Sequence, residues 1–170
     1  MNENMAGMFP LEQEDGFPFH HIHAVGSFGW GWMPDLVKEM GIDYENCPGI
    51  DMREYIYNMP TVMAAADVVI GRAGSATCNE IAATGTPCVL IPSPNVTNNH
   101  QEKNARVLEE AGGAVVILEK DCTPEILYAE VQGLLVDEER REQMSKALRS
   151  LVKIDSAERI CDIVEELAKN

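Results

Sequence analysis

Two short stretches of the chain carry residue types able to handle a phosphorylated sugar. The first is Gly71-Arg72-Ala73-Gly74-Ser75-Ala76-Thr77, which follows the apolar run Val68-Val69-Ile70. Its two glycines and small neighbours let main chain come close to a ligand, and a helix starting there offers N–H groups that have no partner inside the helix. Such a terminus suits a phosphate or diphosphate. Arg72 is placed either to offset phosphate charge or to form an ordinary surface ion pair. Glu80, three residues beyond Thr77, falls on the same helix face about one turn away. Its carboxylate can accept both hydroxyls of a ribose whose phosphates sit at the helix start. Thr77-x-x-Glu80 equally fits a capping box, in which Glu80 turns back to its own helix terminus. The turn has neither P-loop spacing nor the G-x-G-x-x-G fingerprint, which argues against an NAD-dependent dehydrogenase.

The second stretch, Pro92-Ser93-Pro94-Asn95-Val96-Thr97-Asn98-Asn99-His100-Gln101-Glu102, gathers amides and an imidazole at a helix start. Asn99, His100 and Gln101 supply both donors and acceptors for sugar hydroxyls. Asn98-x-x-Gln101 also satisfies a capping box. His100 has no Ser or Cys partner at a telling spacing, so nucleophilic catalysis is not expected, and no catalytic residue is assigned.

These stretches need a scaffold, and the pattern of the chain supplies one. Short apolar runs at 20–25, 67–70, 87–91 and 114–118 alternate with helical segments at 33–40, 59–66, 75–84 and 98–111. Parallel strands require crossover connections, so this alternation predicts an α/β fold with a parallel sheet. In such sheets ligands bind beyond the carboxyl ends of strands, which is where both stretches lie. Past Lys120 the pattern is wholly helical (124–135, 138–151 and 156–168), and these helices are expected to pack on the domain and close it. Residues 1–17 hold Gly7, Pro10, Gly16 and an acidic cluster, and are expected to form a mobile lead-in to a single domain at 18–170.

Composition narrows the function. The 170 residues are 45% apolar and 24% charged, as in one soluble globular domain. With 13 basic against 28 acidic residues the net charge is −15, a field that repels nucleic acid. The acids concentrate at the two ends, so the middle of the chain, which holds both stretches, is the part least repellent to an anion. No apolar run approaches the ~20 residues of a membrane span, and the first residues lack the basic region of a signal peptide, so a cytoplasmic location is expected. Cys47, Cys78, Cys88, Cys122 and Cys161 are odd in number and widely spread, which points to small buried side chains and neither a disulfide framework nor a metal site. No clustered carboxylates flank the glycine-rich turn, so no divalent metal and no cofactor are expected.

Taken together, Ala65-Ala66-Asp67-Val68-Val69-Ile70-Gly71-Arg72-Ala73-Gly74-Ser75-Ala76-Thr77-Cys78-Asn79-Glu80 and Ile91-Pro92-Ser93-Pro94-Asn95-Val96-Thr97-Asn98-Asn99-His100-Gln101-Glu102-Lys103-Asn104-Ala105 resemble the signature of the MurG family. Members are bacterial transferases that move N-acetylglucosamine from UDP-N-acetylglucosamine to an undecaprenyl-linked muramyl-pentapeptide (lipid I), making lipid II for peptidoglycan. The resemblance implies the C-terminal, donor-binding half of a two-domain GT-B glycosyltransferase, a Rossmann-like, doubly wound parallel sheet. It further implies that Ser75, Ala76 and Thr77 hold the diphosphate, with Arg72 nearby, and that Glu80 holds the ribose. His100 and Gln101, beside Asn99, would face the sugar, and Ile56 and Met59 the uracil. The implied partners are UDP-N-acetylglucosamine and, through an acceptor domain or partner chain, lipid I at the cytoplasmic face of the inner membrane.

The family's G-G-S-x-G-A segment, which opens the donor domain, is missing, and with it the first, central strand of the 3-2-1-4-5-6 order. The strand at 20–25 is therefore expected either to pair with that at 67–70 or to leave an open edge. Transfer to lipid I by this chain alone is not expected. Two other functions fit less well: a UDP-N-acetylglucosamine 2-epimerase, whose pattern lacks the Asn-Asn-His-Gln-Glu stretch, and the donor subunit of a two-chain glycosyltransferase.

Overall fold

The computed structural model describes residues 1–152 and 155–169. Five short strands run in two parallel sheets. In the first, β1 (His21–Ala24) pairs with β2 (Ile50–Arg53), His21 opposite Ile50. In the second, β3 (Val69–Gly71), β4 (Cys88–Leu90) and β5 (Ala114–Val116) lie in that order, with Val69 opposite Cys88 and Cys88 opposite Ala114. The helices are α1 (Asn2–Glu14), α2 (Ser27–Trp30), α3 (Met33–Glu39), α4 (Met59–Ala65), α5 (Ser75–Thr84), α6 (His100–Glu110), α7 (Pro124–Val136), α8 (Glu138–Ser150) and α9 (Ser156–Ala168).

Helices cover both sheet faces because β4 is apolar on each. Val89 and Ile91 join a core with α1, α3 and α7, whereas Cys88 and Leu90 join one with α5, α6 and α8. Sequence punctuation sets several boundaries. Gly85 ends α5 in the left-handed conformation (φ 69°), where a Cβ would strike the Arg149 side chain. Thr123 and Asp137 cap α7 and α8 by accepting from Ile126 N–H and Arg140 N–H.

Residues 1–17 do not form a mobile lead-in. Residues 2–14 are helical, and Met5, Met8, Phe9 and Glu12 form a buried stripe at helical spacing. Gly7 belongs to that packing, since a Cβ there would lie 2.9 Å from Cβ of Pro124 on α7. Hydrogen bonds pin both ends of the helix. Asn2 Nδ2 donates to Val25 O (2.9 Å), Asn4 Nδ2 to Cys122 O (3.0 Å), and Tyr128 Oη to Asp15 Oδ2 (2.7 Å). Burial overrides the poor helix propensity of Gly7 and Pro10.

The C-terminal helices also divide. α7 packs on α1 and α8 on α5, as expected of closing helices, but no residue of α9 is buried. Ile160, Ile163, Val164 and Leu167 of α9 are 57–70% exposed, so this helix does not close the domain. Trp30 and Trp32 pack, half-buried, against the core beside α1. Cys78, Cys88 and Cys122 are buried, and burial pushes the Cys88 thiol up to about 12.

Beneath α1 sits a buried polar pair, Glu12 Oε1 with Nδ1 of His21 at 2.8 Å. His23, 6% exposed, stands beside it with its pKa driven down to about 3, chiefly by burial and secondarily by His21. In the unfolded chain a histidine titrates near 6.5, so below that pH the unfolded chain takes up a proton that folded His23 refuses. This group's stability contribution is present above about pH 6.5 and falls by up to about 1.4 kcal/mol per pH unit as pH drops toward 3. The melting temperature should therefore fall between pH 7 and pH 5, above the range where carboxylates titrate, and His23→Gln should flatten that slope. An unaltered slope in the variant would show that His23 is not its source.

Candidate functional site

Both chemistry-bearing stretches follow neighbouring strands, and parallel pairing of β3 with β4 places their carboxyl ends side by side. Ile91 N–H donates to Gly71 O across that end (2.9 Å). The glycine-rich turn then enters α5 with Gly74 as N-cap, and no side chain caps it. Cys78 N–H makes the bond to Gly74 O (2.9 Å), which leaves the N–H groups of Ser75, Ala76 and Thr77 as the free donors of the first turn. Ser75 and Ala76 are exposed and Thr77 half-buried, so the donors open to solvent.

This geometry decides one question that spacing left open. The helix starts at Ser75, so Thr77 is already inside the first turn and is not the N-cap; the Thr77-x-x-Glu80 capping box does not form. Glu80 projects into solvent, and its carboxylate makes no hydrogen bond or ion pair among the described residues. It is a free acceptor about one turn beyond the open N–H groups.

Arg72 is engaged. Its guanidinium forms a two-pronged bridge to Glu119, at 3.0 and 2.7 Å, and also donates to Ile91 O at 3.0 Å. The arginine beside it holds the Glu119 carboxyl below the usual carboxylate range. Of the two roles open to Arg72, the structure shows the ion pair, which ties the loops after β3, β4 and β5 together. Glu119 escaped sequence reasoning because 47 residues separate it from Arg72. Asn104 did so for the same reason: from α6 it donates to Ala73 O (3.1 Å) and fixes the turn.

The amide loop is built from inside. Asn98 and Asn99 both take left-handed backbone angles (φ 55° and 51°), a conformation that asparagine tolerates better than most residues. α6 begins at His100 with Asn99 as N-cap, so the Asn98-x-x-Gln101 box is not formed either. Gln101 Oε1 accepts from Ser93 N–H (2.9 Å) and closes the loop on itself. His100 places Nδ1 2.9 Å from Thr97 O, to which it donates, and the rest of its exposed ring faces the loop's open side. Asn99 Nδ2 donates to Glu102 Oε2 (2.5 Å). Pro92, Pro94, Asn99 and Glu102 face Leu118, Glu119 and Lys120 across a cavity of about 600 Å³. Lys120 is a cation at that mouth which the motifs did not reveal.

Ile56 and Met59 stand apart from this cavity. Ile56 is 4% exposed, Met59 opens α4, and both line the space between β1 and β3. α4 packs on α5, which connects them to the glycine-rich helix.

A parallel sheet sandwiched by helices, with an open helix terminus and an amide loop at the strands' carboxyl ends, is a Rossmann-like α/β domain. Solved structures share the fold. One titled as Acinetobacter baumannii MurG superposes with a TM-score of 0.77 over 97% of this chain and 45% of its own, at 24% identity. The calicheamicin glycosyltransferase CalG4 gives 0.69 over 98% of this chain and 39% of its own, at 20% identity. Residues 1–163 match the glycosyltransferase family 28 C-terminal domain, and the chain belongs to that family. A relative from Acetivibrio thermocellus is 40% identical over the whole chain, and one from Bacillus cereus is 36% identical over 98% of it. Each is named a UDP-N-acetylglucosamine:N-acetylmuramyl-(pentapeptide) pyrophosphoryl-undecaprenol N-acetylglucosamine transferase. The chain spans 44% of the length of both.

Proposed function

We propose that this chain binds UDP-N-acetylglucosamine at the carboxyl ends of β3 and β4, as the donor half of a transferase that passes N-acetylglucosamine to lipid I in peptidoglycan synthesis. The observation that carries the reading is the open first turn of α5 with the unpartnered Glu80 close behind it. The diphosphate lies against the N–H groups of Ser75, Ala76 and Thr77, where the helix terminus offsets its charge. The ribose hydroxyls donate to Glu80. The sugar enters the cavity beside Asn99 and His100, while Gln101 acts from within by holding the loop. Arg72 contributes through Glu119 by fixing the turn, and Lys120 supplies a positive charge at the cavity mouth. Ile56 and Met59 give the uracil an apolar edge.

The relatives' names favour transfer over epimerisation, and no observation favours a two-chain donor subunit. Transfer also demands that an acceptor hydroxyl be held against the anomeric carbon, a positioning task worth many orders of magnitude in rate. That task falls to the remainder of the enzyme, which works at the cytoplasmic membrane face. Among the described residues, no helix is long and apolar enough to cross a membrane.

Titration calorimetry with UDP-N-acetylglucosamine, UDP and ADP tests the reading. UDP and its sugar should bind with closely similar selectivity for uridine, and ADP at least about tenfold more weakly, a difference of about 1.4 kcal/mol. Equal affinity for UDP and ADP would overturn it.

A further inference from the structure

The cavity of about 600 Å³ lies between the loop that follows β4 and the loop that follows β5. What it can recognise depends on which polar groups around it are already spent. Along 92–95 the main chain has no free donor. Pro92 and Pro94 lack an N–H, Ser93 N–H donates to Gln101 Oε1 (2.9 Å), and Asn95 N–H donates to Ser93 Oγ (3.4 Å). Ile91 O is taken by Arg72. On the opposite wall Leu118 presents a half-buried aliphatic side chain, and its carbonyl accepts from Asp121 N–H (2.9 Å). Both carboxylates at the cavity have cationic partners, Glu119 with Arg72 (2.7 Å) and Glu102 with Arg106 (3.5 Å).

Two side chains of the cavity keep a polar group without a partner among the described residues. Asn99 Nδ2 donates to Glu102 Oε2, which leaves Oδ1 as the open, accepting end of the amide. Lys120 is exposed, and its Nζ makes no hydrogen bond or ion pair among those residues. The cavity therefore offers one acceptor, one charged donor and an apolar wall of Pro92, Pro94 and Leu118.

We infer that this cavity reads the 2-acetamido group of the donor sugar, with Asn99, Lys120 and Leu118 as the residues that tell it from a plain 2-hydroxyl. The inference rests on the nucleotide-sugar reading given above. An acetamido group carries one N–H, one carbonyl and one methyl in a single plane, and each finds its counterpart. The N–H donates to Asn99 Oδ1, the carbonyl accepts from Lys120 Nζ, and the methyl leaves water against Pro92 and Leu118. A 2-hydroxyl engages one of the polar groups and leaves the apolar wall wet. A 2-amine is a cation and is repelled by Lys120. An anionic substituent pairs with Lys120 but meets no main-chain donor along 92–95.

The test uses the full 170-residue chain and titration calorimetry with UDP, UDP-N-acetylglucosamine and UDP-glucose. The acetamido sugar should bind about tenfold more tightly than the glucose, the scale of one hydrogen bond to a charged group together with one buried methyl. Lys120→Met keeps the aliphatic stem, and Asn99→Gly keeps the left-handed backbone (φ 51°). Each should bring the two sugars to within about threefold of each other. In the unaltered chain, nuclear Overhauser contacts should link the acetyl methyl of bound UDP-N-acetylglucosamine to the methyl groups of Leu118. Equal affinity for the two sugars, a preference that survives both substitutions, or an acetyl methyl whose contacts lie elsewhere overturns the inference while UDP still binds. Failure of UDP itself to bind overturns the nucleotide reading and this subsite with it, so the UDP titration tells the two failures apart.

Discussion

Replacing Phe9 by alanine is expected to destabilise the protein by about 3–5 kcal/mol, a large share of the roughly 5–15 kcal/mol that holds a domain folded. Phe9 is fully buried, and its ring stands edge-on to His21 at 5.2 Å and to His23 at 6.5 Å. Truncation leaves a cavity between α1 and β1 that the paired Glu12 and His21 cannot fill without losing their 2.8 Å contact. Urea denaturation followed by circular dichroism checks this against Gln13→Ala, an exposed change on the same helix that should stay within about 0.5 kcal/mol of the parent. Equal, negligible effects in both variants would return residues 1–17 to the status of a mobile lead-in.

Glu80→Ala should weaken UDP binding by about tenfold to a hundredfold while leaving the melting temperature nearly unchanged. The first figure follows from losing one or two charged hydrogen bonds at about 1.5–3 kcal/mol each, partly offset by water at an exposed site. The second follows from the structure, in which the Glu80 carboxylate touches nothing that folding depends on. Calorimetry and a thermal melt on the same sample separate the two roles of this residue. A variant that melts early and binds normally would restore the capping role. Glu80→Gln keeps the shape and one acceptor, so its loss should be the smaller.

The stripe Met5, Met8, Phe9 and Glu12 was present in the sequence at helical spacing, yet a glutamate in the stripe and Gly7 and Pro10 beside it hid its meaning. Only the partner residues reveal why each is there: His21 for Glu12, and Pro124 of α7 for Gly7. The opposite error arose at α9, where Ile160, Ile163, Val164 and Leu167 have ideal amphipathic spacing and are nonetheless exposed. Periodicity shows that a face is apolar and is silent on whether anything covers it. At the site, the glycine-rich turn, the strand before it and the free acceptor Glu80 were legible from local pattern. The commitment of Arg72 to Glu119 and of Gln101 to Ser93 was not, although the second pair lies only eight residues apart.

By itself, the sequence determined what depends on neighbours along the chain. It set the alternation of apolar runs with helices, the stops at Gly85 and Gly112-Gly113, the caps at Thr123 and Asp137, and the small residues that leave the first turn of α5 open. Tertiary structure decided everything that depends on which distant surfaces meet. It split the strands into two sheets, with β1 and β3 left apart, placed α1 in the core and left α9 outside it, and turned Arg72 into a strut between loops. The reason is physical: turns, caps and helix starts are settled by backbone sterics and hydrogen bonds within a few residues. Strand order and side-chain partners are settled by burial between segments tens of residues apart, where one side chain has several partners of similar energy to choose from.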